Sequence, residues 1–237
     1  MIRLAFNRLI NRLRGIKDPA QQYAQISFAQ NGEDIILLQL FRLRGLERPG
    51  FIDIGAHHPW QLSNTALLYR HGSRGINVEA NPLLHRILQT ERPYDTNVQA
   101  GIGPSSGYLP FYEMTDASLS TFSAEEAASL QAAGKSLARQ YEVPMMTAPQ
   151  LIEKYCGGQW PALFCIDVEG FDELILQSTE WIHPNSPLVI CAETAEYHPQ
   201  GHGAKRRSYQ QLIESKGYHL WADTNLNSIY IRHDFWT

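Results

Sequence analysis

Four short apolar runs, each carrying an acid at or near its carboxyl end, constrain this chain more than any other feature. Phe51-Ile52-Asp53-Ile54 leads into Gly55, and Gly75-Ile76-Asn77-Val78 ends in Glu79. Ala162-Leu163-Phe164-Cys165-Ile166 ends in Asp167, and the run from Pro187 ends in Glu193. Such runs suit strands buried on both faces. Segments of about ten residues with helical spacing separate them, as around 63–71, after Pro82, and over 172–177 and 208–216. Strands alternating with helices make βαβ units and a parallel sheet. A further strand is expected at 97–100, and a helix over 32–43. Residues 219–222 and 228–232 read as a closing antiparallel pair that turns at 225–227.

Residues 104–147 interrupt this rhythm. Two strand-like runs, 108–112 and 141–146, flank a polar loop at 115–123 and an Ala/Glu-rich helix expected over 124–139. The reading divides the chain into 1–27, a basic amphipathic helix with its linker, and 28–237, an α/β domain carrying the insertion 104–147. Residues 1–17 hold Arg3, Arg8, Arg12, Arg14 and Lys17 with no acid, which leaves 15 basic and 24 acidic groups in the rest. An acidic body is a poor nucleic-acid binder, because phosphate neutralisation needs clustered Lys and Arg. The apolar face Ile2, Phe6, Leu9, Leu13 and Ile16 fits packing on the domain, a homodimer contact, or peripheral contact with an anionic membrane. No apolar stretch reaches the length of a spanning helix. The three cysteines, none in a CxxC pair, read as residues of a reducing compartment. The expected location is cytoplasmic, with the inner membrane face as the alternative.

In an open α/β sheet, ligands bind at the carboxyl ends of the strands. The acids therefore share one edge. Asp53 and Gly55 form an acid-plus-glycine turn, and Glu79 follows at the end of the next strand. The turn lacks the GxGxxG of a dinucleotide site, and His57-His58-Pro59 stands where a pyrophosphate needs bare backbone. An acid there would repel a diphosphate. A cationic, phosphate-free nucleoside fits better: Glu79 can accept both ribose hydroxyls, and Asp53 can face a positive amino-acid end. S-adenosylmethionine has both features.

Gln30-Asn31-Gly32-Glu33-Asp34, FIDIGAHHPWQLSNT (51–65), INVEANP (76–82) and CIDVEGFDELIL (165–176), in this order, resemble the FkbM-type S-adenosylmethionine-dependent methyltransferases. The resemblance runs from about Phe28 to Ile231. It implies a class I methyltransferase (Rossmann-like) fold, with a seven-stranded, mostly parallel sheet whose last strand is antiparallel. It also implies O-methylation of sugars or hydroxylated natural products. Matched by position, it makes Asp53, Gly55 and Ala56 the methionine-side turn, with Asn64 close by. Glu79 becomes the ribose acceptor, Ala80 and Asn81 lie beside the adenine, and Ala100 and Gly101 edge the adenine pocket. Gln30, Asn31, Gly32 and Glu33 cap the cofactor, with Glu33 facing its amino group. An ordinary helix start, with Asn31 as N-cap, explains the same segment. Family members often carry Lys where this chain has Cys165, which removes any lysine-based role here.

Methyl transfer to a hydroxyl needs alignment and a group that receives the acceptor's proton. Asp167, which also borders the cofactor, Glu169 and Glu193 are the candidate acids, and His57 and His58 the candidate imidazoles. A divalent metal such as magnesium, held by Asp167, Glu193 and His58, is the alternative, acting as a Lewis acid on the hydroxyl. Ser118 and Ser120 in the polar loop, together with His198, are expected to meet the acceptor. The competing readings are an N- or carboxyl-methyltransferase, and a nucleoside-binding protein without catalysis.

Overall fold

The computed structural model describes residues 19–168, 171–181, 184–195 and 203–236. The expected helix at 2–16 lies outside the described residues. After a short 3₁₀ turn, Pro19–Tyr23, helix α1 spans Glu33–Leu43. Strands β1 (Phe51–Ile54), β2 (Gly75–Val78) and β3 (Thr96–Val98) follow, with α2 (Ala66–Arg70) and α3 (Pro82–Glu91) between them. Next come β4 (Gly101–Ile102), β5 (Gly107–Met114), α4 (Ala124–Ala132), β6 (Leu137–Met146) and α5 (Ala148–Cys156). The chain continues through β7 (Leu163–Ile166), α6 (Asp172–Ser178), β8 (Val189–Glu193), α7 (Arg207–Ser215), β9 (Tyr218–Asp223), β10 (Asn227–Arg232) and α8 (His233–Trp236).

The main sheet has seven strands in the order β3-β2-β1-β7-β8-β10-β9. β10 enters antiparallel between β8 and β9, and the pairings from β3 to β8 are parallel. Side chains alternate across the central strands, as the two-residue period requires. Ile52, Ile54, Phe164, Ile166 and Ile190 pack on one face with Leu151, Ile152, Ile175 and Ile213 of three helices. Phe51, Leu163, Cys165, Cys191 and Ile229 face the other way, onto Leu37, Phe41 and Leu67. Asp53 belongs by register to this second face, between Asn77 and Cys165.

The insertion builds a separate three-stranded sheet, β4-β6-β5. Its helix is shorter than the expected 124–139. It stops at Ala132, with Gly134 at φ 86°, and Leu137 then pairs with Met114. Arg139 is a strand residue, bonded to Glu113 at 2.7 Å. The strand expected at 97–100 is instead Thr96–Val98. Val98 ends β3, while Gly101 and Ile102 pair with Met145 and Met146 of the second sheet. Helix α5 is absent from the sequence reading. Its sign is the capping box Thr147–Gln150, in which each side chain accepts from the other's backbone N–H.

Candidate active site

The carboxyl ends of β1, β2, β7 and β8 open into one cavity of about 330 Å³, a volume suited to a small ligand. The turn after β1 makes its floor. Gly55 has φ 78°, and a Cβ placed there would lie 1.7 Å from the carbonyl oxygen of Asp167. Only glycine fits both the left-handed backbone and this approach. The N–H groups of Gly55 and Ala56 both donate to the Val78 carbonyl, which locks the β1 turn to β2.

Glu79 is buried, and each of its oxygens accepts a backbone N–H: Oε2 from His57 at 2.8 Å, Oε1 from Asn81 at 2.7 Å. Burial nevertheless pushes its carboxyl up to about 7, against the pull of those donors. Asp53 is also raised by burial, opposed by its bond from Thr65 Oγ1 (2.6 Å) and by the charge of Arg92. Asp167 is pushed up to about 7, first by burial and then by the charge of Asp172. A hydrogen bond with Glu193 and the charge of Arg206 pull the other way. A hydrogen bond between two carboxyls needs a proton on one of them, since an ionised carboxylate only accepts.

Of the residues marked in the sequence, Gln30, Asp53, Gly55, Ala56, His57, Asn64, Glu79, Ala80, Ala100, Gly101, Ser118, Ser120, Asp167 and Glu193 line this cavity. Glu169 and His198 lie outside the described residues. Several others have different work. Glu33 is fully buried and receives Asn31 N–H (2.8 Å), Asn227 Nδ2 (3.1 Å) and the Thr224 hydroxyl. It therefore fastens the segment before α1 to the β9–β10 turn, rather than facing the cavity. Asn31 donates to the Thr224 carbonyl, and the N-cap of α1 is Gly32 at φ 87°, with no side-chain cap. Asn81 caps α3 by accepting from Leu83 and Leu84, so its carboxamide oxygen is spent there.

The two histidines separate. His57 lines the cavity at φ 50°, and its imidazole is held below its usual value by burial and by His58, with Asp116 opposing. His58 Nδ1 accepts the N–H groups of Trp60 (3.2 Å) and Gln61 (3.0 Å), so that ring caps a turn outside the cavity lining. His58, expected to act as base or metal ligand with Asp167 and Glu193, is therefore set apart from those two in not lining the cavity. Among the described residues, no group of three His, Cys, Asp or Glu side chains converges as metal ligands.

The sequence reading missed the insertion's apolar share of the site. Phe111, Leu119 and Phe122 line the cavity with Leu62 and Leu226. Phe111 and Phe122 meet at 4.9 Å with their rings tilted by 54°, and Phe122 meets Phe171 at 6.0 Å. Their aromatic content was visible, but no local pattern tied it to the β1 turn.

The residues fit a sulfonium nucleoside. Glu79 offers a pair of oxygens, and Val78, Ala80, Ala100 and Ile102 give an apolar slot. Asn64 Oδ1 is buried at the cavity and meets no hydrogen-bond donor among the described residues, as suits an acceptor for an ammonium group. The strand order is that of the class I (Rossmann-like) methyltransferase fold. The methyltransferase FkbM domain family matches residues 53–220, and the chain belongs to that family.

Among solved structures, the chain is similar to the methyltransferase FkbM from Methylobacillus flagellatus KT, with 12% identity and a TM-score of 0.45. That match covers 78% of this chain but 44% of the other, so the chain spans less than half the length of that protein. It is also similar to a TehB-like SAM-dependent methyltransferase from Corynebacterium glutamicum, with 12% identity, TM-score 0.42, and 96% and 98% covered. A third is the O-methyltransferase from Bacillus cereus, with 14% identity, TM-score 0.39, and 98% of both chains covered. No curated protein matches the chain. Among the described residues, no helix is long and apolar enough to cross a membrane.

Proposed function

We propose that this methyltransferase acts on a hydroxyl group of a sugar or other hydroxylated acceptor. The observation that carries the reading is the Asp167–Glu193 acid pair, set on adjacent parallel strands beside the Gly55 turn. A carboxyl poised near 7 is matched to taking a proton from a hydroxyl at neutral pH. Gly55, Ala56, Asn64 and Glu79 would hold the cofactor, with Asp53 toward its amino-acid end and the Ala100–Gly101 edge against its adenine. When bound, S-adenosylmethionine supplies an electrophilic methyl group on sulfur. Asp167 receives the acceptor's proton, Glu193 orients Asp167 and shares its proton, and the neutral His57 ring, which also lines the cavity, is a second acceptor. Ser118 and Ser120 offer hydroxyls to a polyol, and Phe111 and Phe122 exclude water from the reacting centre.

The test is methyl transfer from labelled S-adenosylmethionine to a panel of nucleotide sugars, lipid-linked glycans and phenolic or polyketide alcohols. Acid- and base-stable ether products support the reading. Labile methyl esters or methylamines instead would replace it by carboxyl- or N-methylation.

A further inference from the structure

A buried ionic relay runs along the Phe51 face of the sheet to Asp53, and nothing in the proposed reaction uses it. Arg92 is fully buried just beyond the end of α3. Its Nε donates to Asp95 Oδ2 at 2.8 Å, and Nη2 stands 2.8 Å from the same oxygen. Its Nη1 donates to Thr65 Oγ1 at 3.0 Å. The Thr65 hydroxyl donates in turn to Asp53 Oδ2 at 2.6 Å. The guanidinium lies over the rings of Phe51 and Tyr69, at 5.2 and 5.0 Å.

The direction of this chain follows from donor chemistry. A guanidinium only donates, so the Thr65 oxygen must accept from Arg92. The hydroxyl has one hydrogen, and it points to Asp53 Oδ2. That oxygen is therefore an acceptor; a carboxylate offers this on both oxygens, a neutral carboxyl only on its carbonyl oxygen, so the donor favours the ionised form. Asp95 offsets the remaining Arg92 charge and also accepts from Gly75 N–H at 2.9 Å.

We propose that Arg92 and Thr65 are positioning residues that hold Asp53 ionised and oriented toward the cofactor's ammonium group, although neither Arg92 nor Thr65 lines the cavity. The inference rests on the reading that this cavity binds S-adenosylmethionine. The charged and titratable groups around Asp53 are Arg92 and Asp95 behind it, Cys165 in register on β7, and Glu79 and Asp167 along the cavity edge. Of these, Arg92 alone is cationic.

The experiment is calorimetric titration of full-length protein with S-adenosylhomocysteine from pH 5 to 9. Wild type, Thr65→Val, Thr65→Ser and Arg92→Met are compared. Val keeps the shape of Thr without its hydroxyl, and Ser keeps the hydroxyl. Thr65→Val is expected to weaken binding about tenfold at pH 7, the scale of a lost hydrogen bond to a charged group. The acid-side fall in its affinity should move to higher pH, because an Asp53 that loses a donor ionises less readily. Thr65→Ser should restore both. Glu79 and Asp167 titrate in every variant, so the displacement between profiles is the readout. Arg92→Met should displace the profile in the same sense; if it does not fold, the Thr65 pair decides. Wild-type affinity and profile in Thr65→Val, or a Thr65→Ser variant as weak as Val, would overturn the relay alone. A wild type that binds no S-adenosylhomocysteine would overturn the cofactor reading and the relay with it.

Discussion

A Cβ on Gly55 would lie 1.7 Å from the carbonyl oxygen of Asp167. The turn proposed to hold the cofactor and the acid proposed as base therefore meet in one close backbone contact. Gly55→Ala should fail on both counts: it meets this oxygen, and it places a side chain at φ 78°. Strain of that kind costs about 1–3 kcal/mol before the clash is added. A lowered thermal midpoint and lost S-adenosylhomocysteine binding are expected, and a stable variant that binds normally would contradict the geometry.

Glu79→Ala should weaken S-adenosylhomocysteine binding by about 1.5–3 kcal/mol, the range for hydrogen bonds to a charged group. The change also frees the His57 and Asn81 N–H groups, so some loss of stability should accompany it. Calorimetry reads the first effect, and thermal denaturation without ligand reads the second.

Asp167→Asn should lower turnover by about 10²–10⁴ while changing cofactor affinity far less. In the wild type, turnover should rise with pH through about 7, as the Asp167–Glu193 pair gives up its proton. Glu193→Gln should displace that rise. A flat pH–rate profile, or normal turnover in folded Asp167→Asn, would remove the acid pair from the chemistry.

The same acids link pH to stability. Glu79 rises from an ordinary value of 4.5, and Asp167 from 3.8, each to about 7. Between those limits the folded protein holds protons that the unfolded chain has released. Their stabilisation is complete below about pH 4 and is lost as pH rises through about 7. The ligand-free thermal midpoint should therefore fall across this window, and Glu79→Gln or Asp167→Asn should flatten the fall.

Thr224→Val tests the fastening of the segment before α1. Its hydroxyl reaches buried Glu33, and Gln30 and Leu226 on either side of this contact both line the cavity. The variant should lose about 1–3 kcal/mol of stability through a buried acid left short of a donor. It should also raise the KM for S-adenosylmethionine more than it lowers kcat. Equal loss in both, or in neither, would detach this contact from the cofactor.

The sequence by itself determined the sheet and its reactive edge. A run such as Phe51-Ile52-Asp53-Ile54 buries both faces, alternates with helices and so must lie parallel to its neighbours, which sends Glu79, Asp167 and Glu193 to one rim. Hydrophobic period and chain direction are local properties, readable residue by residue. Side-chain partners are not. The resemblance turns Glu33 toward the cofactor, but its Oε1 accepts from Thr224 and Asn227, nearly two hundred residues later, and its Oε2 from Asn31 N–H. His58 and its neighbour look equivalent along the chain, yet one turn aims His57 into the cavity and spends His58 on the Trp60 and Gln61 amides. Arg92, beside Pro93 at a helix end, has the local features of a surface residue and is wholly buried. Its charge is tolerable because Asp95 pairs with it and Thr65 accepts from it, with Asp53 reached through the Thr65 hydroxyl. Burial and pairing are decided by which segments meet, and only the tertiary structure brings them together.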